Sequence, residues 1–339
     1  MHLLVGDIGG TKTELALYDR ATYGARPVCS ARYPSHAFDS LETVVDRFLT
    51  EFEHPDVRAA AFGVAGPVVE QRCQTTNLPW WLDSQKLSAH LHCPVRLLND
   101  FEAIVLGIGL LQNEQLHVLQ EGEGRQPGPI AVLGAGTGLG EAVAVPGLNG
   151  GLPQVLASEG GHCDFAPRTE SEISLLRFLQ RRHGRVSVER AVSGPGLTAI
   201  FDFIVESGQA IPHPSTLMHL NNRDPSAVIG ECGLEGSDPA CSKALELFVN
   251  LYGAEAGNLA LKVLPTGGLY VAGGIAPKLL DALIDGRFLS ALLDKGRMRT
   301  VLERMYIAIV LEPRVALQGA LRQAAALEEA MTSSDRRPR

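Results

Sequence analysis

The chain has 339 residues, of which 45% are hydrophobic, 20% charged and 6% aromatic, a globular composition that excludes a disordered chain. Its 30 Lys and Arg against 38 Asp and Glu give a formal charge of −8. That argues against broad binding to nucleic acid or anionic membranes and leaves room for a small anionic ligand at a local site. The length implies about two domains, with a core large enough to need no disulfide or metal staple.

Residues Leu3 to Ile8 read as a short apolar strand, Gly9-Gly10 as a turn, and Thr13 to Tyr18 as an alternating strand, which together make a hairpin. Leu41, Val44, Val45, Phe48 and Leu49 recur at helical spacing, so a helix is predicted over 40–52 with Ser40 as N-cap. The all-apolar run Ala59 to Ala65 suits a strand buried on both faces. Val95 to Leu98 is another strand, running into Asn99-Asp100 and a helix to about Leu111. Strands alternating with helices imply an α/β fold.

Residues 112–128 are polar and glycine-rich, a predicted boundary. Ile130 to Leu133, Gly134 to Gly140 and Glu141 to Val145 then repeat the strand–glycine–strand unit about 127 residues after the first, the mark of a weak internal duplication. Helices are predicted near 171–183, 196–207 and 238–264, with 208–237 loop-rich and holding one short helix. A buried strand Leu269 to Ala272, the pair Gly273-Gly274, a helix opened by Pro277, a strand over 305–311 and a helix over 315–330 follow.

The cysteines at 29, 73, 93, 163, 232 and 241 form no CxxC pair, which fits a reducing compartment and gives no structural zinc site. No apolar run is long enough to span a membrane, and the first residues lack a signal peptide's n- and h-regions. The expectation is a soluble cytoplasmic protein, with the basic stretch Asp335 to Arg339 as a frayed end.

The glycines fail both common nucleotide fingerprints. Position 139 is leucine, which breaks G-x-G-x-x-G, and the stretch that follows reads as a strand where a Rossmann site needs a helix; Thr11-Lys12-Thr13 lacks the Walker glycine. What remains are three glycine turns, each at a strand end: Asp7 to Lys12, Gly134 to Gly140 and Ala272 to Ile275. One such turn need only be a tight hairpin. Three in this order, with Asp7 to hold Mg²⁺ through water and with Thr137, favour nucleotide binding through backbone amides.

Asn99-Asp100 alone reads first as a helix cap, since Asn99 and Glu102 have capping-box spacing. The alternative is a functional carboxylate at the carboxyl end of a strand, where α/β sheets place ligands. Ser158 to Phe165 concentrates Glu159, His162, Cys163 and Asp164 around two glycines. Hydrogen bonds to a polyhydroxyl ligand suit this set better than a metal does, and a plain turn remains open. Glu189 by itself looks like an ordinary helix residue.

Together the motifs GDIGGTK, LLNDFEA, GAGTGLG, SEGGHCDF, SVERAVSGPGL and VAGGIAPK, in this order from Leu3 to about Ala326, resemble the bacterial glucokinase family of the actin-like (hexokinase and heat-shock chaperone) ATPase superfamily. The resemblance implies an α/β chain of two actin-like ATPase (ribonuclease H-like) domains with a central cleft. A small domain over 1–111 would be completed by the C-terminal helix 313–330, a large one would span 112–312, and 331–339 would be a disordered tail. It implies phosphorylation of the 6-hydroxyl of glucose with ATP and Mg²⁺, and a homodimer. Carried over by motif, Asp100 is the general base and binds the sugar with Asn99, Glu159, His162 and Glu189. Asp7, Gly9, Gly10, Thr11 and Lys12 form the first phosphate turn, with Asp7 toward Mg²⁺. Gly136, Thr137 and Gly138 form the second, and Gly273 and Gly274 lie against the adenosine. Two departures stand out. The zinc-binding cysteines of the related repressor–kinase family are missing, as is an N-terminal helix-turn-helix. Lys12 stands where asparagine is the more frequent residue. Retention of Asp100 speaks for a kinase; a kinase for another hexose or an amino sugar, and an idle sugar-binding regulator, are the alternatives.

Overall fold

The computed structural model describes residues 1–20, 26–75, 77–148 and 151–335. The chain divides into two compact units. One comprises Met1–Gln112, Pro146–Val155 and Glu312–Arg339; the other comprises Asn113–Val145 and Leu156–Leu311. Segment 146–155, expected inside the second unit, groups with the first.

Unit 1 is built in chain order from β1 (His2–Ile8), β2 (Lys12–Asp19), β3 (Cys29–Pro34), α1 (Leu41–Glu51), β4 (Val57–Val64), β5 (Arg72–Gln74), β6 (Trp81–Asp83), α2 (Ser84–Leu91), β7 (Val95–Asn99) and α3 (Asp100–Ile108). Its main sheet runs β3-β2-β1-β4-β7. β2 is antiparallel to β1, and β4 and β7 continue the sheet in parallel. The period of two sorts the side chains of β1 onto two cores. Leu4 and Ile8 pack with Phe62, Val64 and Leu97 and with the apolar face of α1, Leu41, Val44, Val45 and Phe48. Leu3 and Val5 face the other way, with Ala59, Ala61 and Leu98. α1 starts where Ser40 accepts from the Thr43 amide in a capping box.

Unit 2 contributes β8 (Leu116–Gln120), β9 (Ile130–Ala135), β10 (Leu139–Val145), β11 (Gln154–Ser158, which begins in unit 1), α4 (Glu170–His183), α5 (Gly194–Glu206), α6 (Pro214–Asn222), α7 (Pro225–Glu235), α8 (Pro239–Val263), β12 (Gly268–Ala272), α9 (Leu280–Ile284), α10 (Arg287–Leu293), α11 (Arg299–Leu302) and β13 (Ile307–Val310). The sheet order is β11-β10-β9-β12-β13-β8. β10 is antiparallel to β9, and β12 and β13 follow in parallel. Apart from the extra edge strand β8, this is the order of the unit 1 sheet, so the duplication read from two glycine motifs is present in the topology.

The last helix, α12 (Val315–Asp335), completes unit 1. Leu317, Ala320, Leu321 and Ala324 cover Leu3, Val5, Ala59, Ala61 and Leu98 together with Ala103 and Leu106 of α3. The two helices cross closely: a Cβ on Gly319 would lie 1.7 Å from the carbonyl oxygen of Ala103, and one on Gly107 2.0 Å from that of Val315.

Four expectations are corrected. Residues 208–237 hold two helices, α6 and α7, each with a proline in its first turn that starts a helix as readily as it breaks one. The polar boundary 112–128 contains β8. The helix expected at Pro277 begins at Leu280. α12 runs to Asp335, so residues 331–335 of the expected tail are helical, while 336–339 lie outside the described residues. No helix among the described residues is long and apolar enough to cross a membrane.

Candidate active site

In unit 1 the chemistry gathers at the carboxyl ends of the three parallel strands. Register pairs Ile8 with Val64 and Val64 with Asn99, which brings Asp7, Gly66 and Asn99-Asp100 to one sheet edge. The first glycine turn is closed by the Gly9 amide donating to the Lys12 carbonyl at 3.0 Å. Ser35 Oγ donates to the Gly9 carbonyl at 2.8 Å and lies 3.0 Å from Thr13 Oγ1. Gly10 is held to glycine by close approach, because a Cβ there would fall 2.6 Å from the Cβ of Asn77. Of the expected phosphate-turn residues, Gly9 therefore has its amide committed to the hairpin; Thr11 and Lys12 are exposed.

Asp7 is partly buried and its carboxyl is pushed up to about 6. Burial is the largest cause; Lys12 pulls it back down, Asp100 and Glu14 push it further up, and Arg32 lowers it. Two carboxyls, Asp7 and Asp100, thus share one electrostatic neighbourhood. Such a pair suits a hard cation held through oxygen ligands and water, and on chemistry the donors fit Mg²⁺. Among the described residues no three His, Cys, Asp or Glu side chains gather as an all-protein metal cage.

The capping duty at α3 falls on Asn99. Its Oδ1 accepts from the Phe101 amide at 2.9 Å, its own amide donates to Glu102 Oε2 at 3.4 Å, and its Nδ2 donates to the Gly66 carbonyl at 3.0 Å. Gly66 adopts φ +150°, a conformation L side chains avoid. Asp100 is the first helical residue, its Oδ1 sharing the Phe101 amide at 2.9 Å. Both side chains thus meet the first turn of α3, Asn99 as the N-cap and Asp100 through the shared Phe101 amide.

In unit 2 the second glycine turn is closed by the Gly136 amide donating to the Gly138 carbonyl at 2.8 Å. It lies beside the third, since Gly134 pairs with Ala272 in register. The Ile275 amide donates to the Ala135 carbonyl at 3.2 Å, and Gly273 takes φ +84°. The start of α5 abuts the same turn: Gly194 donates its amide to the Gly136 carbonyl at 2.8 Å, and Ser193 Oγ accepts from the Gly196 amide at 3.0 Å. Gly136, Thr137, Gly138, Gly273 and Gly274 are thereby brought together at one sheet edge.

Glu159, His162 and Glu189 also converge. His162 Nε2 lies 3.9 Å from Glu159 Oε2, and its Nδ1 lies 4.0 Å from Glu189 Oε1. Glu189 sits in a short 3₁₀ turn, not the helix its sequence suggested. Its Oε2 accepts from the Leu139 amide at 2.9 Å, next to Gly138. The carboxylate joins the polar cluster to the second glycine turn, a link that sequence reasoning missed. Ser35, Gly66 and Asn77 were missed as well, being far in sequence from the motifs they support.

The family model described as Glucokinase matches residues 4–327. Among curated relatives, the glucokinase of Nostoc punctiforme is 43% identical, covering 96% of this chain and 99% of its own. That of Synechocystis is also 43% identical, covering 94% and 97%. The crystal structure of a glucokinase from an Antarctic psychrotroph is 30% identical with a TM-score of 0.79, over 96% of this chain and 99% of its own. A ROK family glucokinase from Streptomyces griseus, solved with glucose and AMPPNP, is similar in fold at 20% identity, with a TM-score of 0.64 over 96% and 100%. The chain has the two-domain actin-like ATPase fold of these structures.

Proposed function

The chain belongs to the glucokinase family and is an ATP-dependent kinase acting on glucose, and on that premise we propose that Asp100 is the general base of the transfer. The observation supporting this is placement: Asp100 opens α3 at the carboxyl end of β7, where its charge acts on Asp7, while Asn99 is the N-cap of the capping box. A sugar hydroxyl is a weak acid and phosphoryl transfer has a loose transition state, so the base accepts the proton late. Asp100 first orients the 6-hydroxyl and then takes its proton, an effect worth roughly 10²–10⁴ in rate.

The family resemblance supports Asn99, Asp100, Glu159, His162 and Glu189 as the groups that address glucose. Asn99 Oδ1 has a second lone pair and Nδ2 a second hydrogen for a sugar hydroxyl. ATP phosphates are met by the turn Gly9-Gly10-Thr11, with Lys12 as a charge, and by Gly136-Thr137-Gly138 next to the positive end of α5. Gly273 and Gly274 face the adenosine. Asp7 would hold Mg²⁺, which would supply charge neutralisation on the transferring group. The family resemblance supports a cytoplasmic homodimer with unit 1 as the small domain and unit 2 as the large one.

The test is kcat of Asp100→Asn in a coupled assay, beside its unfolding midpoint. Asparagine keeps the Oδ1 acceptor for the Phe101 amide, so the midpoint stays within a degree or two while turnover falls roughly 10²–10⁴-fold. A folded variant with near-normal kcat overturns the assignment. The same assay, run on glucose, galactose, mannose and glucosamine with ATP, ADP or polyphosphate, reads acceptor and donor range. A site built on hydrogen bonds should disfavour the 4-epimer by roughly 1–3 kcal/mol for each partner left unpaired.

A further inference from the structure

Beneath the turn that carries Glu159 and His162 lies a pair of carboxyls that phosphoryl transfer does not use. Glu141 of β10 is 3% exposed and Glu255 of α8 is 5% exposed. The two side chains meet within hydrogen-bonding reach, and Oε1 of each has no hydrogen-bond partner. Two ionised carboxylates cannot hydrogen-bond, since both only accept; one proton between them lets one donate. Positive charge nearby is limited. Lys262 Nζ is 3.7 Å from Glu255 Oε1. Lys295 reaches the pair only through Asn258, donating to its Oδ1 at 2.6 Å while Asn258 Nδ2 donates to Glu255 Oε2 at 2.9 Å. Arg168, Glu172 and Asp294 lie beyond Lys295.

The other side of the pair is the sugar turn itself. A Cβ on Gly160 would lie 1.8 Å from Glu141 Oε2, and one on Gly161 2.0 Å from the Leu139 carbonyl oxygen. The double glycine of SEGGH is thus the bare backbone that lets the turn lie flat on Glu141. The charged groups on this turn, Glu159 and His162, face outward and are exposed, with Glu189 next to them.

We propose that Glu141 and Glu255 are positioning residues for sugar capture: they share one proton, and that state is the seat on which the Gly160–His162 turn presents Glu159 and His162 to glucose. The inference rests on the sugar-site reading above. Burial first, then the Glu255 charge and its hydrogen bond, push the Glu141 carboxyl up to about 7, with Lys262 opposing. When the proton leaves, two like charges stand at contact in a buried site, and repulsion drives Glu141 against the Gly160 backbone. Only the protonated fraction then binds sugar, so apparent affinity falls in proportion to that fraction. Bound glucose keeps the proton on the pair, so turnover of the bound complex is unaffected.

The experiment compares glucose binding, by calorimetry without ATP, with steady-state KM and kcat at pH 6.5 and 8.5. In the wild type, Kd and KM for glucose should rise roughly 25-fold across this interval, with kcat changed less than about twofold. Glu141→Gln keeps the shape and donates an amide hydrogen to Glu255, so it should bind glucose at pH 6.5 within about threefold of wild type and lose the slope. Glu255→Gln should do the same, which keeps the test alive if one variant does not fold. Titrating glucose at pH 8 in two buffers of different ionisation enthalpy should show uptake of close to one proton in the wild type, and much less in either variant. A slope that persists in the variants assigns the titration to a group outside the pair and overturns the inference, as does a wild-type Kd that is flat with pH. Wild-type protein that binds no glucose at either pH would instead overturn the sugar-site reading.

Discussion

At Gly138 an absent side chain is what seats Glu189. A Cβ there would lie 2.4 Å from Glu189 Oε2, which accepts from the Leu139 amide in that space. The obstacle is the far end of a flexible side chain, so Gly138→Ala should fold normally and push the carboxylate off its seat. Unfolding should shift by less than about 1 kcal/mol while KM for glucose rises roughly tenfold, as expected for about 1.4 kcal/mol of lost binding. Kinetics beside thermal melting separate this from a general loss of stability. Asp7 poses the converse case. Burial and Asp100 hold its carboxyl at about 6, above the 3.8 of an ordinary aspartate. The folded state therefore binds the proton more tightly than the unfolded chain, and stability falls as pH rises from about 4 to about 6. Asp7→Asn removes this cost at pH 7.5 and should stabilise the metal-free protein by ~1–2 kcal/mol, while turnover falls at least roughly 10²-fold. Melting in EDTA beside kcat in excess Mg²⁺ checks it; a variant both destabilised and active would count against Asp7 as a strained functional carboxylate. At this scale sequence was informative where the signal is local, as with the Asn99–Glu102 capping box, which the structure contains. It was silent on Ser35, Asn77, Glu141 and Glu255, because each acts on a motif at least about 19 residues away and carries no local pattern.

Elements with strong periodicity were legible. α1, α4, α8 and α12 begin within two residues of the expected positions, since apolar spacing and caps act locally. α6 and α7 were not: their buried residues are few, Thr216 in one and Val228, Ile229 and Gly230 in the other, so little apolar stripe exists to read. The α3–α12 crossing was invisible for another reason, because its determinant is the placement of single glycines in two helices far apart in sequence. Glycine inside a helix ordinarily costs roughly 0.5–1 kcal/mol relative to alanine, so Gly319→Ala should stabilise if only propensity mattered. Here the added methyl would lie 1.7 Å from the Ala103 carbonyl oxygen, a backbone atom that cannot swing aside. The expected sign is therefore reversed, a loss of ~1–3 kcal/mol from overpacking. Because α3 opens on Asp100, kcat should fall with it. Chemical denaturation of Gly319→Ala against the wild type reads the sign directly.

Over the whole chain, two sheets share one strand order, each with a glycine turn inside its antiparallel hairpin and its candidate site residues at the carboxyl ends of its parallel strands. The plan was legible because the strand–glycine–strand unit recurs in sequence. What it does not reveal is the dependence of unit 1 on the last helix. Unit 2 keeps a core of its own, from Ala131 to Ile309, without any residue of α12. In unit 1, Leu317, Ala320, Leu321 and Ala324 cover Leu3, Val5, Ala59, Ala61 and Leu98 in one buried cluster. Each large apolar side chain uncovered costs about 1.5–3 kcal/mol, and removing α12 exposes both its own leucines and the face they bury. The sum is comparable with the ~5–15 kcal/mol net stability of a whole domain. A chain ending at Leu311 should therefore lose unit 1 and retain unit 2. Limited proteolysis should digest residues 1–112 rapidly and leave a resistant fragment beginning near Asn113, and the α12 peptide added in trans should restore protection of the N-terminal part. A shortened chain that stays resistant throughout, melts in one transition and still phosphorylates glucose would show that the helix is an ornament on unit 1 instead of half its core.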